Sequence, residues 1–151
     1  MKLKRFLTIT ILSLMSFQGY ATHLLGGEIV WKCKPNGKYQ FTLVLYRECA
    51  GISFRTTAQS LATNAGVSIS CAFISTTDVV PSCYTGTTTC AGATSGTGKM
   101  QKYVYRSGDI TLTGTPPASG WYFTWNSCCR PGSISNVVSP GGASYLLRAI
   151  M

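Results

Sequence analysis

The stretch His23–Cys49, HLLGGEIVWKCKPNGKYQFTLVLYREC, admits few folds. It reads as two β-strands joined by the three-residue loop Pro35-Asn36-Gly37, and the side-chain pattern sets that loop length. With three loop residues, Ile29 faces Leu43, Trp31 faces Phe41 and Cys33 faces Tyr39, so the apolar partners share one side of the pleat. Glu28, Val30 and Lys32 then face Val44, Thr42 and Gln40 on the other side. One residue more or fewer in the loop mixes the two sets. The turn chemistry agrees, because Pro35 sets φ at the first loop position and Gly37 suits the left-handed position at the end. An antiparallel hairpin with one buried face follows, and nothing in it is catalytic.

The first 21 residues stand apart from the folded domain. Lys2, Lys4 and Arg5 precede the apolar run Phe6 to Phe17, and Gly19-Tyr20-Ala21 places small residues where a signal peptidase inspects the chain. We read residues 1–21 as a secretory signal peptide and 22–151 as a single domain. The apolar run is short for a membrane span, and no second candidate follows in the mature chain. Export also removes three of the 13 basic residues, leaving ten against four acidic ones and a net charge of about +6. The excess reflects scarce acids rather than a basic cluster. Lys32, Lys34 and Lys38 surround the first hairpin, while Lys99, Lys102 and Arg106 approach a later strand. Scatter of this kind is a solvated face, with no nucleic-acid motif behind it.

All seven cysteines lie after the leader, at 33, 49, 71, 83, 90, 128 and 129. In an oxidising compartment they imply disulfides, and zinc is disfavoured because the spacings form no two close pairs and one histidine is present. Cys49, Cys71, Cys83, Cys90, Cys128 and Cys129 are the disulfide candidates. Seven is odd, so one thiol is free or bonds outside the chain. Spacing does not dictate connectivity; the working expectation is that Cys83 and Cys90 close a local loop and that Cys49 reaches the Cys128-Cys129 pair. Adjacent strand residues point to opposite faces, so Cys128 and Cys129 should bond different partners rather than act as a vicinal redox pair.

Further strands recur along the chain. Residues 50–66 read as a loop with a short helical turn near Ala58 to Ala62, followed by a third strand over Val67 to Ile74. Tyr84 to Gly98 is a Thr, Gly, Ser and Ala excursion. Its Gly96-Thr97-Gly98-Lys99 lacks the preceding strand and following helix of a phosphate loop. Tyr103 and Tyr105 then alternate with polar neighbours, and Asp109 to Thr113 reads as extended. Trp121, Phe123 and Trp125 alternate with Tyr122, Thr124 and Asn126, which is the pattern of a core face toward a second sheet. Ile134 to Val138 and Ser144 to Ile150 supply two last strands. Seven or eight short strands without helical periodicity indicate an all-β fold, an antiparallel immunoglobulin-like β-sandwich stabilised by disulfides, with a closed barrel as the alternative.

The chain offers little for catalysis. His23 is the sole histidine and lies beside the expected new amino terminus, where it is more simply a surface residue than part of a copper site. Glu28 and Glu48 fall on one face but roughly 13 Å apart at about 3.3 Å per residue, too far for paired-carboxylate glycoside hydrolysis. No G-x-S-x-G occurs. We therefore expect no catalytic residues, no metal site and no cofactor. Trp31, Tyr46 and Tyr122 are the rings expected to face a ligand if the domain binds carbohydrate. Arg130 is read as structural, capping a strand end or pairing with Glu48.

Two blocks carry a resemblance. Thr22-His23-Leu24-Leu25-Gly26-Gly27-Glu28-Ile29 with Tyr39-Gln40-Phe41-Thr42 and Leu45-Tyr46-Arg47-Glu48-Cys49 forms the first. Tyr105-Arg106-Ser107, Ile110-Thr111-Leu112, Trp121 through Arg130 and Ile134-Ser135-Asn136-Val137 form the second. In this order they resemble the amino-terminal module of large secreted surface proteins of Bacteroidota, labelled gliding-motility-associated or type IX-secreted. The resemblance implies an extracellular β-rich module in adhesin-like or matrix proteins, without a known reaction. Its partners would be other domains of the same surface protein or cell-surface glycans. Family members run on for hundreds of residues, whereas this chain stops at Met151 inside an apparent strand, which leaves a truncated C-terminus open.

Overall fold

The structure is a computed structural model that describes residues 24–80, 86, 89–93, 98–128, 130 and 134–151. The expected leader, His23, Cys83 and Cys129 lie outside the described residues. Among those described, seven strands run β1 (Leu24–Cys33), β2 (Tyr39–Glu48), β3 (Gln59–Thr63), β4 (Ile69–Val79), β5 (Met100–Ser107), β6 (Tyr122–Ser127) and β7 (Tyr145–Ile150).

The β1–β2 hairpin takes the expected register, with Ile29 opposite Leu43, Trp31 opposite Phe41 and Cys33 opposite Tyr39. Its tip is the expected three-residue loop. Gly37 N donates to Lys34 O at 2.9 Å, Lys34 N donates to Lys38 O at 2.8 Å, and Gly37 sits at φ 73°. A side chain at that left-handed position would be strained. The tip is then tied to the chain after β5. Tyr39 and Ile110 exchange two backbone hydrogen bonds of 2.8 Å, and Asp109 accepts from the Lys34 ammonium and from Asn36 Nδ2.

All pairings are antiparallel, in the order β1-β2-β5-β4-β3-β6-β7. Strands β1, β2, β5 and β4 make one layer, β6 and β7 belong to the other, and β3 pairs with β4 on one side and β6 on the other. The sheet nearly closes where β7 meets β1. A Cβ built on Gly27 would lie 2.5 Å from Val44 O and 2.8 Å from Leu147 Cδ1, so the absence of a side chain there lets the two ends of the strand order approach. The architecture thus stands between the sandwich and the closed barrel: one curled sheet whose halves face each other across a core.

Alternation fills that core as the sequence implies. Phe41, Leu43 and Leu45 of β2, Tyr103 and Tyr105 of β5, Cys71 of β4 and Phe123 and Trp125 of β6 are buried. Phe41 and Phe123 meet across the layers with ring centroids 4.4 Å apart, while Phe73 meets Tyr105 at 5.7 Å within one layer. Burying one such side chain contributes roughly 1.5–3 kcal/mol.

Three expectations fail. Within the stretch read as loop with a helical turn near Ala58 to Ala62, Gln59–Thr63 forms strand β3, because Leu61 and the following Ala65 find core positions that outweigh local composition. Ile134 to Val138 forms turns rather than a strand, and Val138 is almost fully exposed. Asp109 to Thr113 pairs only through the single Ile110 bridge, with Gly114 and Pro116-Pro117 following at once.

Candidate functional site

Where β3 and β6 part, the two layers open. Their ladder contains only Ala62 opposite Thr124 and Thr63 opposite Phe123. Beyond it, Gln59–Leu61 turns toward β4 while Trp125–Ser127 stays with β7. The gap is a cleft of about 310 Å³. Leu45 and Tyr105 of the first layer line it, with Gln59 of β3 and Trp125 and Ser127 of β6, and Ile52 through Arg55 complete the wall. This volume lies at the lower end for small-ligand sites.

Hydrogen bonds already hold the cleft's aromatic rings. Trp125 Nε1 donates to Gln59 Oε1 at 3.2 Å, and Tyr105 OH donates to Arg55 O at 2.8 Å. Burial, and then neighbouring Tyr103, push the Tyr105 hydroxyl up to about 12. It is a fixed donor, not a base. Phe54 reaches the core edge-on to Tyr103 at 5.2 Å. Arg55 is the one charged residue lining the cleft; it is exposed and makes no ion pair among the described residues. Among the described residues, no Asp, Glu or His lines the space.

The acids serve elsewhere. Asp109 pins the hairpin tip, where the Lys34 ammonium and then the Asn36 amide hold its carboxyl below the usual carboxylate range. Asp78 accepts from Gln101 Nε2 at 2.8 Å and from Cys90 N at 2.9 Å. Gln101 Oε1 in turn accepts from Arg47 at 2.7 Å and from Tyr103 OH at 3.0 Å. Arg47 is 5% exposed and also donates to the carbonyls of Glu48, Cys49 and Gly51. A buried guanidinium needs this saturation, since an unsatisfied charge in the interior is costly.

That network explains the cysteine connectivity and corrects the sequence reading. Cys90 is delivered by Asp78 to the end of β2, and it bonds Cys49 rather than Cys83. Cys49 therefore does not join the Cys128-Cys129 pair, although Cys128 is itself disulfide-bonded. Cys71, a disulfide candidate, is a free thiol: it points into the core from β4, and burial pushes it up to about 11. Cys33 is the exposed free thiol.

The three expected ligand-facing rings do not converge. Trp31 is 38% exposed on the inner side of β1, because β7 meets β1 at Gly27 and leaves the hairpin's far end uncovered. Tyr46 lies opposite Lys102 on the outer side of the first layer. Tyr122 lies on the outer side of β6, under the Arg148 guanidinium at 5.1 Å. Arg130 sits over the Tyr145 ring at 4.4 Å and donates from its backbone N to Ala143 O. The cleft residues Arg55 and Gln59 escaped the sequence reading because β3 itself did.

Fold and cleft together define a disulfide-linked all-β structure with an open seam between β3 and β6. Comparison with protein-family models, curated proteins and solved structures finds no match. Among the described residues, no helix is long and apolar enough to cross a membrane, and no three His, Cys, Asp or Glu side chains are grouped to hold a metal.

Proposed function

We propose that this chain is a non-catalytic extracellular module of a Bacteroidota cell-surface protein, acting in adhesion or as a structural spacer. The observation that carries the reading is the Cys49–Cys90 disulfide, together with the leader-like residues 1–21. Such bonds persist in oxidising compartments and support small domains whose core alone is modest. The uses of Asp78 and Asp109 add to it, since both carboxylates are engaged in holding loops. Partners on this reading are neighbouring domains of the same protein or surface glycans.

Protease shaving of intact cells that express the chain tests the proposal. Peptides from exposed turns such as 34–38 and 114–120 should be released before the cells lyse. Protection of every such peptide until lysis would reject an extracellular module.

A further inference from the structure

We propose that the cleft between β3 and β6 binds a small apolar carboxylate: an aromatic or branched-aliphatic group with a carboxylate at one end. This assignment is independent of the surface-module reading. Four observations on the cleft lead to it.

The space is built into the fold, since β3 and β6 pair through two residues only and then diverge around it. Ile52 and Phe54 are the apolar lining residues with accessible surface, and the donors of Trp125, Tyr105, Gln59 and Ser127 are already bonded within the protein. A polar occupant would find few free donors to replace its lost water, so the inserted part should be apolar. Arg55 gives the wall its charge, and with no acid among the described lining residues it favours an anion. A guanidinium fork matches a carboxylate in two parallel hydrogen bonds. Finally, about 310 Å³ accommodates one ring or branched chain.

Apolar carboxylates occur as free small molecules and as the C-terminal residue of a polypeptide. Titration of the oxidised chain, followed by calorimetry and indole fluorescence, should use three probes: 3-phenylpropionate, its uncharged amide, and an N-acetylated peptide ending in phenylalanine with a free carboxylate. The acid should saturate and bind about tenfold or more tighter than the amide, as charge-assisted hydrogen bonds imply. Tighter binding of the peptide would identify a polypeptide end as the source, and tighter binding of the free acid a small molecule. Arg55→Gln should abolish the preference for acid over amide. Ile52→Glu, which adds a negative charge at an exposed position of the wall, should weaken the acid selectively. Both positions are exposed, and unchanged circular-dichroism melts would verify folding. Equal binding of acid and amide, full affinity in Arg55→Gln, or saturation by neither acid nor peptide would overturn the assignment.

Discussion

Gly27 is the residue on which closure of the sheet depends. A methyl group at that position meets a backbone carbonyl at 2.5 Å and the Leu147 side chain at 2.8 Å. Leu147 can shift, but Val44 O is held in the ladder. Gly27→Ala should therefore lower stability by about 1–3 kcal/mol, the usual cost of overpacking, measured as a reduced urea midpoint with little change in slope. Cys71 gives a second test at this scale. Its thiol is raised from 9.0 to about 11 by burial, so the unfolded chain releases a proton at lower pH than the folded one. The associated stability is complete below about pH 9 and is lost as the pH rises through about 11. Cys71→Val should flatten the alkaline fall of the urea midpoint; an unchanged fall would show that the thiol is not sequestered.

At the level of elements, the first hairpin was almost wholly legible because three signals coincided: period-two alternation, Pro35 before the turn and Gly37 at its end. Strand β6 was legible for the same reason, its rings falling at every second position. Strand β3 was not, since Gln59-Ser60-Leu61-Ala62-Thr63 has a single large apolar residue and gains its strand state from β4 and β6. The cleft was hidden with it, being a gap between partners that lie 62 residues apart at Ala62 and Thr124. The hairpin tip also depends on a distant segment, through Asp109. That carboxyl is held below its ordinary 3.8, so its contribution is present above that value and is lost as the pH falls through the lower folded value. The backbone amides at 34–38 should exchange faster with solvent in Asp109→Asn at neutral pH. In the native chain the same acceleration should appear only in strong acid. Equal exchange in both proteins would remove Asp109 from the account of the tip.

For the whole molecule, the crosslink and the curled sheet act together. Cys49 and Cys90 are separated by 41 residues, and closing a loop of that length in the unfolded chain is worth about 4 kcal/mol in the entropic model. Replacing both by serine should lower the thermal midpoint by about 10–20 °C and loosen the Arg47–Gln101–Asp78 network, while Phe41 and Phe123 keep the layers together. The all-β class was readable from strand patterns, and the presence of a disulfide from cysteine number. Connectivity was not, because Cys90 is placed by Asp78, a residue far from it in any local pattern. The chain folds as an oxidised double layer with Cys71 sealed inside, as the proposed export requires. The most direct test is a non-reducing peptide map of the chain as cells release it, with iodoacetamide added before and after denaturation. We expect an N-terminus at Thr22, a peptide pair joined through Cys49 and Cys90, label on Cys33 in the native state and on Cys71 only after unfolding. A chain that retains residues 1–21, with Cys49 and Cys90 reduced and Cys71 labelled at once, would contradict it.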